Sequence, residues 1–256
     1  MPDSLRSVLL YGLVVLLVLS NAALFWQLRA VYVLSKQQAA EPHHARRFAA
    51  ENERLLTELQ TPTLILFGDS RIAQWSPEPD LGSGASTVNR GISGETTEQM
   101  RVRFRADVLQ LRPSVVIIQA GINDLVAASL SRDDRQRQIL ARCIENLAAF
   151  AQEAASTGIR VVLLEVIPPA TPPLYRRPFW DESIRALVEQ VNASMAALDA
   201  DDNVTVVGVE DVLLTGTGSL RPELAKDTLH FTTEAYSLLN QHLSPLLQTL
   251  LTDAVQ

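Results

Sequence analysis

Read for the spacing of its apolar positions, the chain divides into three regimes. From Ser7 to Leu28 it runs 22 residues without a charged side chain, rich in Leu and Val. As a helix such a run spans roughly 33 Å, enough for the ~30 Å hydrocarbon core of a bilayer. Trp26 and Tyr32 fall near its far end, where an aromatic belt belongs. Ser20-Asn21-Ala22 offers a small-x-small cleavage site, yet apolar character continues through Ala23, Leu24, Phe25 and Trp26, so the run reads as an uncleaved anchor rather than a signal peptide. A buried core helix is the remaining alternative. After Pro42, residues 43–60 have the pattern of a short polar helix. Phe48, Leu55 and Leu59 form only a weak stripe with Asn52 in the gap, which predicts a spacer and not a coiled coil. The expected organisation is an anchor over residues 1–30, a helical spacer over 31–61 and a globular domain over 62–256.

Beyond Thr61-Pro62 short apolar runs alternate with amphipathic helices. Residues 63–67, 114–119, 160–166 and 204–209 are continuous apolar runs, with a weaker one around Thr87 to Asn89. Continuous rather than alternating hydrophobicity indicates strands covered on both faces, as in a parallel sheet. Between them, Asp133 to Thr157 places Ile139, Leu140, Cys143, Ile144, Leu147 and Phe150 on one face, with Ser131 and Asp134 as a capping-box-like start and Gly158 as the stop. Glu182 to Leu198 repeats the spacing, and a closing helix starts near Thr232-Thr233, with Pro245 expected to kink it. Strand–helix alternation predicts a doubly wound α/β domain.

Composition narrows the function classes. The 256 residues are 47% hydrophobic, which excludes low-complexity disorder, and the net charge of −7 argues against a nucleic-acid partner. The single cysteine, Cys143, excludes an intrachain disulfide framework and reads as core. His43-His44 lacks a carboxylate or cysteine at ligand spacing and reads as a solvated pair, so no metal site is expected.

In a parallel sheet, ligands bind beyond the carboxyl ends of the strands, so the residues that follow the apolar runs are the candidates. They are Gly68-Asp69-Ser70, the stretch Asn89 to Thr97, Gly121-Ile122-Asn123-Asp124, and Asp227-Thr228-Leu229-His230 at the entry to the last helix. A serine at a strand-to-helix turn needs a base. Of the four histidines, His43 and His44 lie in the spacer and His242 lies roughly 18 Å further along a helix than His230. His230 is therefore the partner for Ser70, with Asp227 able to hold its tautomer. The N–H groups of Ser70 and Gly94 and the Asn123 amide are the candidate oxyanion donors. Asp69 reads as support for its turn, and Asp124 as a cap for the turn that follows. Arg71 and Arg90 are either surface charges or contacts for an anionic substrate. In the proline-rich loop from Pro168 to Phe179, Tyr175, Arg176 and Arg177 are candidate substrate contacts.

Taken in order, these four blocks resemble those of the SGNH (GDSL-type) hydrolase superfamily, over about residues 62–252. Trp75 and the Gly91 to Thr97 stretch are most similar to the platelet-activating-factor acetylhydrolase and small-esterase branches. The resemblance implies a flavodoxin-like three-layer α/β/α sandwich with a parallel sheet of about five strands. It implies hydrolysis of O-acyl esters, O-acetyl foremost, on a carbohydrate or lipid, with no cofactor. It also implies Ser70 as nucleophile, Asp227 and His230 as its partners, and Gly94 and Asn123 as oxyanion donors. The chain departs from the usual pattern at Ile122 and at Phe231, where many members carry Pro. An O-acyltransferase on the same residues and a non-catalytic, membrane-anchored glycan-binding protein are the alternatives. Lys and Arg are more numerous after the anchor (Arg29, Lys36, Arg46, Arg47) than before it (Arg6), which by the positive-inside rule keeps the domain in the cytoplasm. Anchored members of the superfamily are commonly exported, which implies instead a periplasmic domain on a single-pass inner-membrane anchor.

Overall fold

The computed structural model describes residues 3–37, 46–82 and 84–253, so Pro42 and the His43-His44 pair lie outside the described residues. The chain falls into two units, Met1–Gln38 and Ala39–Gln256. The first is one helix, α1 (Asp3–Gln37), longer than the apolar run itself. Its segment Leu10–Tyr32 has mean hydropathy 1.7 and none of it is buried, so by length and composition it is a candidate membrane span.

In the second unit the apolar runs become strands. β1 (Leu64–Gly68), β2 (Thr87–Gly91), β3 (Val115–Gln119), β4 (Arg160–Leu164) and β5 (Val204–Val207) pair in the order β2-β1-β3-β4-β5, each neighbour parallel. Successive side chains on a strand point to opposite faces. Accordingly Ile65, Phe67, Val116, Ile118, Val161 and Leu163 enter one apolar cluster, and Leu64, Leu66, Val115, Ile117, Val162 and Leu164 another. The first is covered by α4 (Thr97–Phe104), α5 (Ile122–Ser129), α6 (Asp133–Ser156) and α7 (Ile184–Met195). The second is covered by α3 (Ser70–Ala73), α8 (Glu210–Leu213) and α9 (Thr233–Asp253), which runs on through Pro245. This is the flavodoxin-like three-layer sandwich, with its topological switch between β1 and β3.

The carboxyl edge at that switch is built by close approach. A Cβ on Gly68 would stand 2.0 Å from the Gln119 carbonyl oxygen, and one on Gly91 2.1 Å from the Ala73 nitrogen. Glycine at these two paired positions lets α3 sit directly on the ends of β1 and β2.

Three expectations change. α4, which the sequence reading did not mark, is polar in sequence, yet its Arg103 points inward. Arg103 is fully buried, pairs with Glu95 at 2.7 Å and Asp107 at 2.9 Å, and donates to the carbonyls of Gly68 and Arg90. At α6 no capping box forms. Arg132 is the N-cap without a side-chain bond, and the Ser131 hydroxyl donates instead to the Ala127 carbonyl. Finally, the stretch read as a solvated spacer contributes α2 (Ala49–Thr57), which packs on the domain through buried Asn52 and Leu55. The Asn52 amide donates to Asp107 at 2.7 Å and its oxygen accepts from Arg90 at 2.8 Å. The Arg90 guanidinium also lies 4.6 Å from the Phe48 ring centre and pairs with Glu51.

Asn52→Ala strands one side of this buried network, which costs about 1–3 kcal/mol. The thermal midpoint of the purified chain should fall by several degrees, at roughly 2–4 °C per kcal/mol for a domain of this size. An unchanged midpoint would show that α2 is not part of the cooperative unit.

Candidate active site

Ser70 opens α3 immediately after β1, in a turn stabilised by Asp69, whose Oδ1 accepts from the Arg71 N–H at 2.9 Å. That is the supporting role expected of Asp69. The Ser70 hydroxyl lies 2.9 Å from His230 Nε2, across 160 residues of sequence. His230 Nδ1 lies 2.8 Å from Asp227 Oδ2, while Asp227 Oδ1 accepts from the N–H groups of Leu229 and His230 at 2.8 and 2.9 Å. The carboxylate thus closes its own short loop and orients the ring with its remaining oxygen. A hydroxyl facing an imidazole that is held from behind by a carboxylate is the arrangement that activates a serine for attack on an acyl carbon.

The second and third blocks converge on the same edge. The turn Ile92 to Glu95 leaves β2 with the Ile92 N–H bonded to the Gly68 carbonyl, and Gly94 occupies it with φ +83°. Asn123, in the first turn of α5, donates to the Glu95 carbonyl at 3.0 Å, next to Gly94. An amide nitrogen carries two hydrogens, so one remains for a ligand.

Other candidates move. Asp124 does not cap the turn that follows it. It accepts from the Thr97 N–H and hydroxyl at 2.9 and 2.8 Å and so caps α4, which precedes it in the chain. Arg71 and Arg90 are both about 1% exposed and are neither surface charges nor substrate contacts: Arg90 docks α2, and Arg71 donates to the carbonyls of Leu229 and Ile167. Cys143 is buried, as expected. Tyr175 and Arg176 line a groove of about 380 Å³ together with Thr171, Lys226, Asp227 and Thr228, whereas Arg177 begins a separate 3-10 turn and is not among its walls. Lys226, which flanks Asp227, escaped the sequence reading. Among the described residues no group of His, Cys, Asp and Glu is arranged to hold a metal ion.

Residues 66–238 match the family model of the GDSL-like lipases and acylhydrolases. The chain belongs to this family. Esterase TesA of Pseudomonas aeruginosa is 27% identical over 173 residues, 67% of this chain and 74% of the relative. An uncharacterized lipoprotein of Bacillus subtilis, YqeF, is 38% identical over 81 residues, so the match spans 32% of each protein. The crystal structure of a GDSL-like lipase from Bacteroides thetaiotaomicron superposes with a TM-score of 0.64 at 25% identity, covering 80% of this chain and 97% of that one. As a member of the GDSL-like acylhydrolases, the chain is a carboxylic ester hydrolase.

In this GDSL-like hydrolase the two carboxylates nearest the serine are tuned in opposite directions. Burial raises Asp69 to about 6 against the pull of Arg71. At Asp227 a smaller burial penalty is outweighed by the hydrogen bonds from the His230 ring and from the Leu229 and His230 N–H groups, which hold it at about 2. The folded protein therefore binds fewer protons at Asp227 than the unfolded chain does. This contribution to stability is complete above the ordinary carboxylate value near pH 4 and is lost as pH falls through about 2. Urea midpoints measured between pH 2 and 6 should drop more steeply below pH 4 for wild type than for Asp227→Asn. Parallel curves would mean that the His230 loop does not hold the carboxylate.

Proposed function

We propose that this chain is a membrane-tethered serine esterase acting on O-acyl esters, with Ser70 as nucleophile, His230 as general base and Asp227 as the carboxylate that orients it. The observation that carries the reading is one imidazole hydrogen-bonded on both sides, at 2.9 Å to the Ser70 hydroxyl and 2.8 Å to Asp227. Ser70 Oγ attacks the ester carbonyl carbon as its proton passes to His230 Nε2, and the carbonyl oxygen becomes an oxyanion. Collapse breaks the acyl C–O bond, and the imidazolium gives its proton to the departing alcohol. Water then attacks the acyl-enzyme while His230 again takes a proton, releasing the acid and the free serine. The Ser70 and Gly94 N–H groups and the Asn123 amide are the oxyanion donors in this reading, one such donor being worth about 3–4 kcal/mol in the transition state.

Acetyl is the acyl group on the likeness of Trp75 and the Gly91 to Thr97 stretch to the acetylhydrolase branch. Tyr175 and Arg176 are the proposed contacts for the rest of the substrate, a carbohydrate or lipid, because the groove they line reaches the Asp227 carboxylate. Its rim carries the cations of Arg176 and Lys226, and the buried Thr228 hydroxyl has no hydrogen-bond partner among the described residues. Two cations beside an exposed aromatic ring favour a substrate that bears a negative group.

The domain is proposed to lie on the extracytoplasmic side of the inner membrane, tethered by Leu10–Tyr32. In support, those 23 residues reach roughly 35 Å as a helix, beyond a ~30 Å core.

Ser70→Ala should abolish turnover of p-nitrophenyl acetate and labelling by a fluorophosphonate, with a loss approaching ~10⁶ where nucleophile and base act as a unit. Asn123→Ala should lower kcat by about 10²–10³. Turnover unchanged in Ser70→Ala ends the proposal. Products formed from an acetylated acidic glycan, with and without a glycan acceptor, separate hydrolysis from acyl transfer. Protease added to intact spheroplasts should degrade the domain, and protection would reverse the orientation.

A further inference from the structure

The loop that carries His230 is closed on itself, with Leu224 and Phe231 packed into the apolar cluster under the sheet. Asp227 binds the N–H groups of Leu229 and His230, the Lys226 N–H donates to the His230 carbonyl, and Thr232 N–H to the Leu224 carbonyl, each at 2.8 to 2.9 Å. Ala225 and Phe231 form an isolated bridge within the same loop. No ladder of strand hydrogen bonds joins it to the five-stranded sheet. Its distance from Ser70 is therefore a matter of side chains.

One side chain makes most of that connection. Arg71, adjacent to the serine and 1% exposed, donates from Nε to the Leu229 carbonyl at 2.9 Å and from Nη1 to the Ile167 carbonyl at 2.7 Å. Its guanidinium lies 4.6 Å from the centre of the Phe231 ring. Its own carbonyl accepts from the Tyr236 hydroxyl at 2.7 Å, and Tyr236 meets Phe231 edge-on. The Ala170 N–H bonded to the Thr228 carbonyl completes the link between the segment after β4 and the histidine loop. Lys226 also donates to Gln74, at 3.4 Å and exposed, and Leu224 and Phe231 share a buried apolar cluster with Ile72 and Trp75.

We infer that Arg71 is a positioning residue, whose fork on the Leu229 and Ile167 carbonyls under the Phe231 ring sets where the His230 imidazole meets the Ser70 hydroxyl. The inference rests on the reading of Ser70 and His230 as nucleophile and base. Burial lowers the Arg71 guanidinium only to about 10, so it keeps its charge, and with it both donors, at neutral pH. A planar fork can hold two carbonyls in fixed relation, which an ammonium at the end of a flexible stem cannot.

The test compares Arg71→Met, Arg71→Lys and Phe231→Leu with wild type on p-nitrophenyl acetate, following kcat, KM, pH dependence, fluorophosphonate labelling and thermal midpoint. A shift of the base by an ångström costs on the order of 10²-fold, so Arg71→Met should lower kcat about that much while KM stays within about twofold. Labelling should slow in parallel. The rate should keep climbing with pH where wild type levels off, because hydroxide replaces a displaced imidazole. Arg71→Lys should recover part of kcat, and Phe231→Leu, which keeps both hydrogen bonds, should lose less than Arg71→Met. A purely packing role predicts a lower midpoint with normal kcat and pH profile below it, and that result overturns the inference. If Arg71→Met does not fold, a folded Arg71→Lys with full kcat overturns it equally. Ser70→Ala assayed alongside separates the cases: residual turnover there means that the serine–histidine reading has failed, not this one.

Discussion

A sheet covered on both faces leaves the carbonyls at its carboxyl edge with no water to bond, and everything at this edge follows from how they are satisfied. Buried arginines do it. Arg103 takes the carbonyls of Gly68 and Arg90, at the ends of β1 and β2, and Arg71 takes those of Ile167 and Leu229 beyond β4 and beside His230. Burying a guanidinium is costly unless it is fully paired. Glu95 and Asp107 pair with Arg103, whereas Arg71 has the Asp69 charge and the face of Phe231 nearby and keeps its Nη2 without a hydrogen-bond partner among the described residues. The same groups that quench the strand ends thereby hold the loops that carry Ser70, Gly94 and His230 against one another.

This makes the electrostatics of the edge asymmetric. Asp69 and Asp227 both stand beside the serine–histidine pair, yet burial pushes one up and three hydrogen bonds hold the other down. A carboxylate with a low proton affinity is the one suited to sit behind an imidazole that must take up a proton, since it stays ionised when the imidazolium forms. Asp69, buried and bonded to the Arg71 N–H, is suited to shape the turn.

The same network reaches the chain that follows the apolar helix. Arg90 lies next to Gly91 at the end of β2 and is gripped by Asn52, Glu51 and Phe48, while Asn52 also binds Asp107, the partner of Arg103. α2 is thus coupled by two buried links to the strand end from which the Gly94 turn departs.

Continuous apolar runs were enough to read β1, β3 and β4, their parallel class and the polar blocks after β1 and β3, because burial on both faces leaves a signature in local composition; β2 and β5, only partly buried, left a weaker one. The serine was legible for the same reason, since it sits where a run stops, whereas the histidine was reached by setting the other three aside and the aspartate by its place three residues before it. Helix α4 was not legible, because its Arg103 looks solvated until Glu95 and Asp107 are brought beside it in space. The docking of α2 hung on a single asparagine in a weak stripe, and Asp124 turned from its own helix to cap another. Local sequence by itself determined which elements form and which residues stand at the working edge. Only the tertiary structure decided which charges are buried and what each one holds, since an arginine's partners are fixed by the packing of distant segments and not by its neighbours in the chain.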